Sequence, residues 1–156
     1  MRILIQRVKR ASVTVDGEVI GGIAGGLLAF VGFCEGDKEE YILPMAQKMA
    51  GLRIFEDENE KMNLSLGDVD GELLIISQFT LYADCSHGRR PSFVSALRPD
   101  TAEEFYNKFI SAAQQLTGKK VQTGSFGADM KVELLNDGPV TVMLDSCDII
   151  KMNTKA

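Results

Sequence analysis

Ser77, Gln78 and Thr80 interrupt the apolar run from Glu72 to Tyr82 with two hydroxyls and an amide. Polar groups in a buried strand must find hydrogen-bond partners or face a cavity. If the run is one regular strand, Gln78 and Thr80 point to one face and line a wall, while Ser77, Phe79 and Leu81 point to the other. A Thr or Ser nucleophile also needs a base. No carboxylate or histidine adjoins these residues, and the single histidine, His87, lies outside the run. Only a base delivered by the fold would complete a triad. A structural explanation competes: Thr80 suits a strand and Ser77 can bond nearby backbone, and on residue types alone this explanation carries more weight.

Two further stretches have chemical potential. His87-Gly88-Arg89-Arg90-Pro91-Ser92-Phe93 is a basic loop whose Arg forks could hold a phosphate. An exposed loop solvated by its arginines explains the same residues, and a lone histidine without nearby cysteines is a poor zinc ligand. Gly138-Pro139 lacks one amide donor, so carbonyls there are less consumed by pairing and could accept from an ammonium group. A hairpin turn is the plainer reading. Only about 5% of X-Pro bonds are cis in folded proteins, so the residues alone argue for trans.

The chain of 156 residues fits one compact domain, and 45% hydrophobic with 25% charged residues gives an ordinary globular balance. A net charge of -5 argues against a broad surface for coating nucleic acid, DNA included. Local basic clusters remain at Arg7, Lys9 and Arg10, at Arg89 and Arg90, and at Lys119 and Lys120. No apolar run reaches the roughly 20 residues of a membrane span, and the first residues alternate instead of forming a signal core. A cytoplasmic protein with no membrane partner is expected. Cys34, Cys85 and Cys147 are too dispersed for a zinc site and read as reduced thiols. Gly21, Gly22, Gly25 and Gly26 lack the Lys-Ser/Thr ending of a phosphate loop, and Asp57 to Glu60 lacks a calcium-loop register. No metal is expected.

Several strands must position these groups. Arg2 to Val8 alternates, Ser12 to Val15 runs into an Asp16-Gly17 turn, and Leu27 to Phe33 is apolar enough for a central strand. Leu52 to Phe55, Glu72 to Tyr82 and Val121 to Ser125 read as further strands. Lys131 to Leu135 and Val140 to Leu144 read as two more, joined as a hairpin by Asn136-Asp137-Gly138-Pro139. Asp37 is expected to cap a helix burying Leu43, Ala46, Met49 and Ala50. Asp100 and Glu103 form the capping box of a second helix, with Phe105, Phe109, Ala112 and Leu116 inward and Gly118 at its end. The sum is an α+β protein with two main helices and a mostly antiparallel sheet. Residues 147–156 show no period, and the tail is expected to fray.

The chain resembles the D-aminoacyl-tRNA deacylases, also called D-tyrosyl-tRNA deacylases, from Met1 to Asp145. The resemblance rests on Ile5-Gln6-Arg7-Val8, Ala11-Ser12-Val13, Arg53-Ile54-Phe55, Lys61-Met62-Asn63-Leu64, Ser77-Gln78-Phe79-Thr80-Leu81, Arg90-Pro91-Ser92-Phe93 and Phe126-Gly127-Ala128-Asp129-Met130. Asn136-Asp137-Gly138-Pro139-Val140-Thr141 completes it. It implies a barrel-like core in one deacylase domain, 1–146, followed by a tail. It further implies a homodimer in which a cis Gly138-Pro139 bond enters the partner's active site. Its carbonyls would face the substrate α-carbon and exclude L-amino acids, with Arg7 and Met130 among the substrate-binding residues. Glycine, lacking a side chain, would escape that filter.

The resemblance makes Thr80 the side-chain actor, with Ser77, Gln78 and the Phe79 backbone around the ester carbonyl, no cofactor, and the 3' CCA end of aminoacyl-tRNA as partner. Without a base beside Thr80, attack by water helped by the terminal ribose hydroxyl is the preferred route. Two rivals are a silent module that binds RNA ends and a threonine hydrolase for small esters.

Overall fold

A computed structural model describes residues 1–119 and 121–153, the last three as backbone only. Lys120 of the expected basic pair and 154–156 of the tail lie outside the described residues. Strand β1 (Arg2–Val15) forms an antiparallel hairpin with β2 (Glu18–Ile23) through the Asp16-Gly17 turn, and pairs antiparallel with β3 (Gly26–Gly32) lower down. Helix α1 (Ile42–Ala50), the short strands β4 (Phe55–Glu56) and β5 (Met62–Leu64), and β6 (Glu72–Ser77) follow. Then come α2 (Pro99–Thr117), β7 (Gln122–Thr123), β8 (Lys131–Asp145) and α3 (Ser146–Asn153).

The main sheet runs β2-β1-β3-β6-β7, and β8 covers the other edge of β1. Pairings of β1 are antiparallel, whereas β3 with β6 and β6 with β7 are parallel. Gly21 of β2 approaches the Thr123 carbonyl of β7, which nearly closes the sheet into the expected barrel-like core. Helices α1 and α2 pack on the outside.

Side-chain alternation divides the core. Leu27, Ala29, Val31, Leu73 and Ile75 face α1 and α2, while Leu28, Leu74 and Ile76 join Val8, Val13 and Ile23 in a second cluster. Burial on both faces is why β3 and β6 read as unbroken apolar runs.

Five expectations are corrected. The run from Glu72 to Tyr82 is not one strand: β6 stops at Ser77 and Phe79–Tyr82 forms a 3-10 turn. Its partner β3 ends at Gly32, so no ladder exists to extend it. Gln78 N–H makes the last bond, to the Val31 carbonyl at 2.8 Å. The alternation assigned to Gln78 and Thr80 therefore does not apply.

The expected hairpin at 136–139 is also absent. Both halves belong to β8 and pair antiparallel with β1 in the same direction. Gln6 faces Thr141 and Val8 faces Asn136, so the intervening residues of β8 bulge out of the ladder. Turn-forming residues suit a bulge as well as a reversal.

Asp37 does not cap α1, which is entered through a 3-10 turn at Glu39–Tyr41. Its carboxylate instead accepts from the Cys34 N–H at 2.8 Å and pairs with the Met1 ammonium, which also donates to Ser146. The helix consequently buries Ile42, Met45, Ala46 and Met49 and leaves Leu43 exposed. In α2, Pro99 leads the first turn, Arg98 is the cap residue and no side chain closes a box. Ala102, Tyr106, Phe109 and Ala113 form its buried face, with Phe105 and Ala112 alongside and Leu116 exposed. Gly118 ends it in the left-handed conformation as expected. Finally, the start of the tail is helical: Asp145 Oδ1 accepts from the Cys147 N–H at 2.9 Å at the opening of α3.

Removing a buried ion-pair partner leaves a charge uncompensated. Asp37→Asn should lower stability by about 3 kcal/mol, read as a lower urea midpoint with an unchanged slope.

Candidate active site

At the end of β6 the chain leaves the sheet and immediately makes its 3-10 turn. Gln78 Nε2 donates to the Thr80 hydroxyl oxygen, so the two side chains fix each other. Thr80 is exposed. An amide N–H cannot accept a proton, so Gln78 orients this hydroxyl without activating it. The N–H groups of Phe79 and Thr80 give no hydrogen bond among the described residues, as the start of a short helical turn dictates. They remain available to an oxyanion.

Beside the turn lies a cavity of about 630 Å³, lined by Ser77, Gln78, Phe79, Phe93, Phe126 and Met130 among others. Phe79 and Phe93 meet edge to face with centroids 5.2 Å apart. The wall is largely apolar and aromatic, with a few polar groups among its lining, as small-molecule sites are. His87 does not line it. Its Nδ1 lies 2.7 Å from Ser86 Oγ on the exposed loop carrying Arg89 and Arg90. Asp129 reaches the cavity but is exposed and paired with Lys131.

Arg7, Gly138 and Pro139 form a second cluster. Arg7 is 5% exposed; its Nη1 donates to the Ile54 carbonyl at 2.7 Å and its Nε to the Asp137 carbonyl at 3.1 Å. Asn136 Nδ2 bonds the carbonyls of Arg7 and Val140, closing the base of the bulge. Gly138-Pro139 is cis, against the reading from residue types, and both residues are exposed. Gly138 has φ +129°, and a Cβ there would stand 2.8 Å from Val140 Cγ2 and 3.0 Å from Arg7 Nη2. Only glycine fits.

The fold thus gathers Ser77, Gln78, Phe79 and Met130, and separately Arg7, Gly138 and Pro139. It does not unite the two groups within one chain. Arg7 shares a cross-strand row with Leu27 and Leu73, while Ile3, Val31 and Ser77 share another. Four residues separate these rows, about 13 Å along the strands at roughly 3.3 Å per residue.

The family profile described as D-Tyr-tRNA(Tyr) deacylase matches residues 4–145. The chain belongs to this family. A D-aminoacyl-tRNA deacylase of Clostridium tetani is 55% identical over 146 residues, covering 94% of this chain and 97% of that one. A solved chain described as c-Myc DNA Unwinding Element Binding Protein superposes with a TM-score of 0.87 at 39% identity, covering 93% and 98%. Another, described as "a probable eukaryotic D-amino acid tRNA deacylase", gives 0.80 at 17% identity, covering 92% and 98%, and shares the fold.

In this deacylase-family chain, four contributors had no role assigned from sequence. Phe93 and Phe126 meet Phe79 and Met130 only after folding, and Asn136 becomes a brace only because β8 bulges. Gly124 supports Met130: a Cβ there would overlap Met130 Sδ and stand 3.2 Å from Ile76 Cδ1. The flexible thioether would yield first, toward the cavity. Gly124→Ala should therefore raise KM for D-tyrosyl-tRNA about tenfold, the ~1.4 kcal/mol of a modest steric intrusion. Adding Met130→Ala should restore KM toward wild type in the same steady-state assay.

Proposed function

We propose that the protein hydrolyses the ester of D-aminoacyl-tRNA, releasing tRNA and D-amino acid, and does so as a homodimer. One observation carries the dimeric form: the clamped, exposed Gly138-Pro139 bulge and the turn at Ser77 to Thr80 lie apart in one chain. A second copy can bring its bulge to the first copy's turn. Exposed Phe79, Leu135 and Met143 supply apolar surface for such a contact.

The aromatic cavity suits the terminal adenosine of the CCA end, and this docking places the ester at the turn. Water adds to the ester carbonyl, and the N–H groups of Phe79 and Thr80 stabilise the oxyanion. Collapse breaks the bond to the ribose oxygen, which takes up a proton. The neighbouring ribose hydroxyl assists the water, and Thr80, oriented by Gln78, positions it. An aminoacyl ester is reactive enough that placement supplies most of the needed rate, so no metal or other cofactor is invoked. The partner's Gly138 and Pro139 carbonyls, with Arg7 holding the bulge and Met130 bounding the cavity, admit a D-configured carbon and reject an L side chain. Glycine offers nothing to reject, so glycyl-tRNA is a substrate. Residues 1–146 constitute the deacylase domain, and the enzyme works in the cytoplasm where tRNA is charged.

Incubation with matched D- and L-tyrosyl-tRNA should release D-tyrosine alone, unaffected by chelator, and light scattering should give about twice 17.1 kDa. A module that only binds RNA ends would release nothing. A threonine hydrolase for small esters would not require tRNA.

Thr80→Ala should lower kcat by about tenfold with KM little changed, since it loses a positioning group; a trapped acyl-enzyme would overturn water attack. Gly138→Ala should abolish most turnover because its Cβ collides with Val140 and Arg7. With a net charge of -5 the salt slope of tRNA binding should be shallow. Given the name of one structural neighbour, a DNA hairpin is the control ligand.

A further inference from the structure

The 3-10 turn at Phe79–Tyr82 is only four residues long and has no side-chain cap at its start. The bonds that tie its two ends to the flanking residues are Leu81 N–H to the Gln78 carbonyl at 3.3 Å and Ala83 N–H to the Thr80 carbonyl at 3.1 Å. Phe79 and Thr80 between them are exposed. A turn of this kind must be fixed from outside. At its entry the Gln78 N–H is tied to Val31. At its exit two side chains reach the turn backbone: Arg2 donates to the Leu81 carbonyl and Ser95 Oγ to the Tyr82 carbonyl at 3.1 Å, and of the two only Arg2 comes from the main sheet.

Arg2 is unusually well founded for that task. Its backbone sits between Gly32 of β3 and Asp145 of β8, so both neighbours in the sheet hold its base. Its Nε donates to Asp145 Oδ2 at 2.8 Å, its Nη1 donates to the Leu81 carbonyl at 2.9 Å, and its guanidinium carbon lies 4.6 Å from the Tyr82 ring centroid. Asp145 is itself held, since its other oxygen accepts from the Cys147 N–H. The planar fork of arginine can satisfy carboxylate and carbonyl at once, whereas an ammonium acts as a single point.

We infer that Arg2 is a positioning residue of the site: it braces the Leu81-Tyr82 end of the turn against Asp145 and so holds the Phe79 and Thr80 amides and the Thr80 hydroxyl in register with the cavity. Arg2 touches neither Gln78 nor Thr80 and acts through the turn backbone. Its part in turnover rests on the deacylase reading above; its bracing of the turn does not.

The test compares wild type, Arg2→Gln, Arg2→Lys and Asp145→Asn by steady-state hydrolysis of D-tyrosyl-tRNA, urea unfolding and amide hydrogen exchange. Arg2→Gln should lower kcat on the order of 10²-fold, as small misplacements of a reacting group do, with KM within a factor of two or three. Arg2→Lys should fall about tenfold, keeping the pairing to Asp145 but not the fork. Asp145→Asn should lie between wild type and Arg2→Gln. The Ala83 amide, which reports the bond to Thr80, should exchange about tenfold faster in Arg2→Gln while the amides of Ile3 and Ile5 stay protected.

Unchanged kcat and unchanged Ala83 exchange would overturn the inference. So would a rise in KM alone, which would make Arg2 an RNA contact, or a loss of turnover matching only the unfolded fraction. If Arg2→Gln does not fold, Arg2→Lys carries the same readouts. Should wild type release no D-tyrosine, the deacylase reading falls, and Ala83 exchange still decides whether Arg2 braces the turn.

Discussion

The antiparallel ladder between β1 and β8 is the interaction on which the rest of the molecule depends. It pairs residues from Arg2 to Thr14 with residues from Asp145 back to Lys131, so it joins the beginning of the chain to its last long strand. Because β1 also pairs with β2 and β3 on its other edge, a displacement of β8 would be felt throughout the sheet. The ladder tolerates the bulge between Asn136 and Thr141 since pairing resumes on both sides. A rigid frame on either side is what lets Gly138 and Pro139 stand exposed without being loose.

Charge is used sparingly in the interior, where Arg7 is buried, and the partly buried charges also have work in the frame. Arg7 secures the bulge to the Ile54 carbonyl and to Asp137. Arg2 and Asp145 support one another: the hydrogen bond to Asp145 raises the Arg2 pKa, while burial would raise Asp145 but bonds from Arg2 and Cys147 hold it below its usual value. Burial pushes the Tyr82 hydroxyl well above the ordinary phenol range and raises the Cys34 thiol. Both therefore stay neutral near pH 7, which suits a wall that supports the turn without taking part in proton transfer.

The candidate site has the same division of labour. Groups that would meet the reacting ester sit on a short turn whose backbone amides have been released from the sheet, and the cavity beside it is built from aromatic and thioether side chains on separate elements. A probe made of backbone carbonyls can examine the atoms next to a chiral carbon while leaving the side chain beyond unread. The exposed bulge itself carries a glycine because its φ of +129° and the nearness of Val140 Cγ2 and Arg7 Nη2 leave no place for a Cβ.

Sequence alone determined the α+β class, the central apolar strands, the Asp16-Gly17 hairpin and the existence of two amphipathic helices. These follow from local periodicity and turn chemistry, which act over a few residues. It also singled out Ser77 to Thr80 and Gly138-Pro139 as places where polar or special residues interrupt a pattern. It misplaced the ends of elements where a distant partner decides them: β6 stops because β3 stops, 136–139 becomes a bulge because β1 is long enough to pair on both sides, and Asp37 leaves its helix because the Met1 ammonium lies beside it. The partnerships of Arg2 with Leu81 and of Gly124 with Met130 carry no local signal at all. The first exists only after strands distant in the chain have been set side by side and the second only after the loop between β7 and β8 has closed on itself, since a hydrogen bond or a steric contact depends on separation in space, not on separation in sequence.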